Sequence, residues 1–207
     1  MNLDMTVGVA NTIAGGFMDP VRDAQAVFRQ VLHTMSRPGT IVAVNGDLEN
    51  TGAFSSAMAT LALTLLDFET PVWTDLAPGD QTLVWLQFHC GCPLTAAPGE
   101  AAFVLVTDPE RLPDLAALNP GSEQFPESGA TLIIETAGLE ACAGKLLKGP
   151  GIQASRELSA QGLPERFWQQ RQALGGDFPL GVDVIFTADR KLRALPRTTQ
   201  TETTPCT

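Results

Sequence analysis

The densest group of reactive side chains in this 207-residue chain is His89-Cys90-Gly91-Cys92, an imidazole and two thiols in a row. These are ligand types that zinc prefers, but structural zinc sites take ligands in pairs with at least two residues between the members. Here a single glycine separates the thiols, and the other histidine, His33, lies far upstream. The spacing assigns no metal, and Cys90 and Cys92 read as packing residues. A nucleophilic cysteine or serine needs a base that is itself oriented. His33 falls on a polar helix face, and His89 at a helix end where its charge suits the dipole, so no catalytic residue is assigned.

Anion chemistry has better candidates, although the nucleotide signatures fail. Gly144-Lys145 is followed by Leu146 and lacks the upstream glycine of a phosphate loop, and no dinucleotide fingerprint is present. Gly149-Pro150-Gly151-Ile152 can bare N–H groups from Gly149 and Gly151, with Arg156 close behind, though Pro150 removes one donor. Pro196-Arg197-Thr198-Thr199 follows the last expected strand. An arginine with two hydroxyls can bind a phosphate oxygen, or it can hold a carboxylate such as Asp183 or Asp23, which is the commoner use. The anion-binding candidates are therefore Gly149, Gly151, Arg156, Arg197, Thr198 and Thr199.

Composition narrows the partners. Thirteen Lys and Arg against 23 Asp and Glu give a formal charge of −10, which repels nucleic acid and acidic membrane at long range. A local phosphate site stays compatible with that charge. With 44% hydrophobic residues the chain is apolar enough to fold as one domain. Four cysteines (Cys90, Cys92, Cys142 and Cys206) with no recognisable secretory leader read as a reduced cytoplasmic protein. No apolar run is long enough to cross a membrane.

The elements that must position these residues are well punctuated. Residues 1–15 read as a flexible arm. Asp19 caps a helix with Pro20 at its first position; Val21, Ala24, Phe28, Val31, Leu32 and Met35 are expected inward, and Arg22, Gln25, Arg29 and His33 outward. Pro38-Gly39 stops it. Thr40–Val44 reads as a strand ending in a turn at Asn45-Gly46-Asp47, followed by an apolar helix from Ser55 to Leu66. Next come a short strand at Pro71–Thr74 and a helix capped by Asp80. Strands follow at 102–106 and 131–135, with a short helix between Asp108 and Leu118. Lys145–Leu147 is expected to pair with 131–135, Pro164 opens a last helix, and strands at 182–186 and 192–195 form a hairpin turning at Asp189-Arg190. The pattern predicts a three-layer α/β domain with a mixed sheet over residues 16–199 and a flexible tail at 200–207. Trp168 is expected nearest a subunit contact.

The stretches Gly16-Phe17-Met18-Asp19-Pro20-Val21-Arg22-Asp23-Ala24-Gln25, Met35-Ser36-Arg37-Pro38-Gly39, Thr70-Pro71-Val72-Trp73, Gly149-Pro150-Gly151-Ile152, Phe178-Pro179-Leu180-Gly181-Val182-Asp183 and Leu195-Pro196-Arg197-Thr198-Thr199 resemble PhnH, a subunit family of the bacterial carbon-phosphorus lyase system. The resemblance implies an α/β/α fold like the large domain of pyridoxal-phosphate-dependent transferases, a homodimer when alone, and PhnG-, PhnI- and PhnJ-like partners. It implies an accessory role in an assembly that, with PhnL, replaces the base of a nucleoside triphosphate such as ATP by a phosphonate, giving ribose 1-methylphosphonate 5-triphosphate. The cofactor itself is not expected, because Lys145, Lys148 and Lys191 read as surface charge. The interface candidates are Arg22, Gln25, Arg29 and Trp168. The alternative is an autonomous transferase or hydrolase, or a binding protein, for a phosphorylated small molecule.

Overall fold

The computed structural model describes residues 13–44, 48, 51–140, 144–175 and 177–203. The expected turn at Asn45–Asp47, most of the arm, Cys142, Cys206 and the last four residues lie outside them. Helix α1 (Pro20–Ser36) begins as its residues require, with the Asp19 carboxylate accepting from the Arg22 N–H and Pro20 where no N–H is needed. After β1 (Ile41–Ala43), α2 (Ser56–Leu65) is capped by Ser55 and buried from Ala57 through Ala62. β2 (Val72–Thr74) leads to α3 (Gln81–Cys90), capped by Asp80 and closed by Gly91 at φ 64°, a left-handed turn that glycine adopts without strain.

The remaining strands are β3 (Phe103–Val106), β4 (Thr131–Glu135), β5 (Lys145–Lys148), β6 (Arg156–Leu158), β7 (Asp183–Ala188), β8 (Lys191–Leu195) and β9 (Gln200–Thr203), with α4 (Glu165–Leu174) between β6 and β7. Six strands form a mixed sheet in the order β1-β8-β7-β4-β3-β2. β2, β3, β4 and β7 run parallel, and β8 pairs antiparallel with both β7 and β1. The β7–β8 hairpin turns at Asp189, as its sequence indicates.

The central strands are apolar without interruption because both faces are covered. Val104, Val106, Leu132, Ile134, Val184 and Phe186 meet α4 and the second sheet, while Leu105, Ile133 and Ile185 meet α1, α2 and α3. The three layers are therefore α1–α3, the main sheet, and a layer combining α4 with a small antiparallel sheet ordered β6-β5-β9.

That second sheet revises two expectations. Lys145–Leu147 does not pair with 131–135 but forms the centre of the small sheet, and residues 200–203 of the expected tail pair along it as β9. The helix expected between Asp108 and Leu118 is two separate 3-10 turns, Pro109–Arg111 and Leu115–Ala117, each capped by an aspartate and divided by Pro113, which cannot supply a helical N–H. α1 is also rotated from the expected register. Val27, Val31 and Thr34 are buried, whereas Val21, Phe28 and Leu32 are exposed beside Arg22, Gln25 and Arg29.

These placements separate two apolar substitutions. Leu61→Ala, at a fully buried position of α2, is expected to lower the unfolding free energy by about 2–5 kcal/mol. Phe28→Ala, on the outward face of α1, is expected to cost under about 0.5 kcal/mol. Urea unfolding checks both, and comparable losses would return Phe28 to the core.

Candidate functional site

Four segments distant in sequence meet at the amino end of the parallel strands: the stop after α1, the turn at 149–151, the loop 178–182 and the loop 196–199. They are drawn together by arginines. Arg197 donates from Nη2 to Asp183 Oδ2 at 2.7 Å and from Nε to the same oxygen at 3.1 Å, while its backbone N–H reaches Asp183 Oδ1 at 2.7 Å. Its Nη1 donates to the Pro126 carbonyl. Arg171 of α4 donates to the carbonyls of Val182 and Pro196. Arg193 of β8 spans Gly39, Glu157 and Ser159 in the same way. Arg156 donates to the carbonyls of Arg37 and Pro38 and to the Thr40 hydroxyl.

Each anion candidate has a definite place in this junction. Arg197 holds the Asp183 carboxylate, and Arg156 is turned onto the chain reversal after α1. A Cβ on Gly151 would lie 2.1 Å from the Ser36 carbonyl, and one on Gly149 would lie 3.0 Å from the Thr198 carbonyl. Both glycines have positive φ and permit these close approaches. The Gly151 turn therefore meets the carbonyl end of α1, an environment that repels an anion. Thr199 is buried, and its hydroxyl has no hydrogen-bond partner among the described residues.

A cavity of about 280 Å³ lies beside Thr199, between the end of α4 and the start of β9, with Arg171, Gln172 and Gln200 in its lining. Arg171 is 7% exposed. Burial lowers its pKa to about 10, with Asp183 opposing that shift and Arg197 adding to it, so the guanidinium stays charged at neutral pH. The lining thus pairs the Glu202 carboxylate with a buried guanidinium, from a residue whose helical spacing beside Phe167 and Trp168 marked it only as part of α4. Its proximity to the Pro196–Thr199 loop was not legible, because it depends on how α4 crosses the sheet.

The other reactive groups are occupied differently. His89 donates from Nε2 to the Ala14 carbonyl at 2.9 Å and packs against Trp85, while His33 contacts Arg37. Among the described residues no three His, Cys, Asp or Glu side chains gather to hold a metal. Burial pushes the Cys90 thiol up to about 12, with a smaller contribution from Cys92. Trp168, expected nearest a subunit contact, is instead packed inward on Phe167 and Phe186, and Lys145 Nζ lies 5.8 Å from its ring centroid.

At the opposite, carboxyl end of the strands, Glu135 accepts a hydrogen bond from the Thr187 hydroxyl and is engaged by Ser55 at the start of α2. Desolvation raises its pKa against these bonds, which lower it. A carboxyl group raised in the folded state binds its proton more tightly there than in the unfolded chain. Its stabilising contribution is complete below the unfolded value of about 4.3 and is lost as pH rises through the folded value. Relative to Glu135→Gln, the natural chain is expected to lose stability as pH rises above about 4.3; a flat or rising difference in urea midpoints would contradict this. At the other end, Asp183→Asn leaves Arg197 without its carboxylate and is expected to cost about 3 kcal/mol, read from the same unfolding curves.

A family model described as bacterial phosphonate metabolism protein (PhnH) matches residues 15–202. The chain is 32% identical over 193 residues to the alpha-D-ribose 1-methylphosphonate 5-triphosphate synthase subunit PhnH of Rhizobium meliloti (strain 1021), covering 91% of this chain and 95% of that protein. It is also 32% identical over 176 residues to HtxG of Stutzerimonas stutzeri, named as a C-P lyase subunit protein, covering 84% of each. With this match spanning both sheets and all four described helices, the chain belongs to the PhnH family of bacterial phosphonate metabolism proteins.

Proposed function

We propose that this chain is an accessory subunit of a carbon-phosphorus lyase core complex in phosphonate catabolism. It supports formation of ribose 1-methylphosphonate 5-triphosphate from ATP and methylphosphonate without performing the chemistry alone. Its partners are PhnG-, PhnI- and PhnJ-like subunits in the cytoplasm, and it pairs with a second copy when isolated. The layout of a pyridoxal-phosphate-dependent transferase serves here as a scaffold without its cofactor.

The observation that carries this reading is the family match over residues 15–202, joined to an amino-end junction whose arginines are engaged with carbonyls and a carboxylate of the same chain. The outward face of α1 supplies the docking surface. Val21 is 80% exposed and Leu32 52%, and Arg22, Gln25 and Arg29 lie on the same side. An apolar strip flanked by arginine has the composition of a protein interface.

A second reading, a binding protein for a phosphorylated small molecule, is favoured by the cavity beside Arg171 and Thr199. Titration calorimetry with ATP and with methylphosphonate separates the two: heat of binding to the isolated chain supports the second reading.

The principal test assays base release from ATP and methylphosphonate by the chain alone and with its partner subunits. Turnover is expected only in the assembly, and turnover by the isolated chain would overturn the accessory role. Replacing Arg22 and Arg29 by glutamate is expected to reduce co-purification with the partners at least ten-fold while the circular dichroism spectrum stays the same. Undiminished co-purification would remove α1 from the interface.

A further inference from the structure

Arg171 is 7% exposed, and a cation buried so far is ordinarily paired with a carboxylate. Here its hydrogen bonds go to the neutral carbonyls of Val182 and Pro196, which use two of the five N–H groups of a guanidinium. The nearby Asp183 carboxylate is taken by the side chain and the backbone N–H of Arg197, so two cations share one anion. Thr199 presents a second unmet group. It is 4% exposed, its N–H goes to the Pro196 carbonyl, and its hydroxyl has no partner among the described residues. Both residues line the 280 Å³ cavity between α4 and β9. A buried hydroxyl left without a partner costs free energy that an occupant of the cavity restores.

The rest of the lining has the opposite sign. The Glu202 carboxylate is half exposed and accepts from Lys148 Nζ at 2.9 and 3.0 Å. A carboxylate has about four acceptor sites, so Lys148 does not exhaust it. α4 closes against the same cavity at Gly175, whose N–H goes to the Gln172 carbonyl, and the carbonyls of a helix end carry partial negative charge. An anion alone therefore meets Glu202 and the end of α4, and a cation alone meets Arg171. A molecule carrying both charges satisfies both sides.

The dimensions agree. Thr199 and Glu202 lie about 10 Å apart along an extended chain, a span that a short ligand covers with a hydrogen bond at each end. The volume falls just under the range of about 300–1,000 Å³ found for drug-sized ligands, so the occupant is smaller than a nucleotide. The Gln172 and Gln200 amides in the lining can donate or accept along its length.

We propose that this cavity binds a small zwitterion, an oxyanion joined to an ammonium by a short chain, with the oxyanion on Arg171 and Thr199 and the ammonium on Glu202. Amino acids and aminoalkylphosphonates share this chemistry. Neither ATP nor methylphosphonate carries an ammonium, so the site goes beyond both functions proposed above.

Titration calorimetry on the full-length chain tests this with 2-aminoethylphosphonate and β-alanine, which differ in their oxyanion, and with ethylphosphonate and propionate, which lack the ammonium. At least one zwitterion is expected to bind about ten-fold more tightly than its ammonium-free counterpart, and which of the two does so tells phosphonate from carboxylate. Glu202→Gln is expected to abolish that preference. Thr199→Val replaces the unpartnered hydroxyl by a methyl of the same shape. It is expected to weaken zwitterion binding about five-fold while the urea midpoint of the unliganded chain stays the same or rises, an outcome that a purely structural hydroxyl would not give. Absence of heat from both zwitterions at millimolar concentration would overturn the proposal. So would equal affinity for zwitterions and their ammonium-free counterparts, or binding that both variants leave unchanged.

Discussion

Four arginines from different parts of the chain end on its backbone carbonyls, and the organisation of the domain's amino end depends on those bonds. Loops that reverse direction beneath a sheet leave carbonyl groups with no ladder partner, and burying them unsatisfied would cost about as much as the lost hydrogen bonds. Guanidinium answers this need because its planar fork carries several donors at fixed angles, whereas ammonium is a compact point charge. Arg193 joins the stop after α1 to two positions around β6, and Arg171 joins the entry to β7 to the exit from β8. The cost is a desolvated cation, visible in the lowered pKa of Arg171. Asp183 offsets it by holding Arg197 directly and Arg171 electrostatically.

This arrangement explains why motifs that look functional in the sequence are architectural here. Gly39, Gly151 and Arg197 come from separate stretches that resemble the PhnH family, and they meet at one junction. Gly39 is crowded by Leu147 and Arg156, Gly151 by the end of α1, and Arg197 is fixed between Asp183 and Pro126. Such residues are constrained by several segments at once, so substitution at any of them disturbs the rest. Their chemistry is spent in positioning loops. The outward face of α1 is apolar with a basic margin, and the cavity beside Arg171 is small, with the Arg171 guanidinium and the Glu202 carboxylate both in its lining.

The legible parts of the fold were those fixed locally. The Asp19 and Asp80 caps, the stop after α1, the apolar runs of β3, β4 and β7, and the β7–β8 turn all follow from neighbouring residues. The misread parts were fixed by distant partners. β5 reads as a strand, but its partners β6 and β9 are set by how the chain returns over α4, and no periodicity reports that. α1 was misread because it carries apolar residues on both sides, so hydrophobicity alone could not choose between the Val27–Val31 face and the Val21–Phe28–Leu32 face. At the site, the Arg197–Asp183 pair was visible as a residue-type argument. Arg171 and Arg193 were not, because an arginine inside a helix or strand pattern reads by default as solvent-facing.

The surplus apolar residues on α1 and around β2 then have a common physical meaning. An acidic domain of this size does not gain stability by exposing Val21, Leu32, Phe68 and Phe88, since their burial would be worth about 1.5–3 kcal/mol each. That energy would be gained if another surface covered them. α1 is a closed helix whose backbone is already satisfied, so it can be covered by any complementary side-chain surface, and its arginines favour an acidic one. The outer side of β2 is already paired at Val72 by residues 93–95, so there too the cover required is mainly side-chain surface.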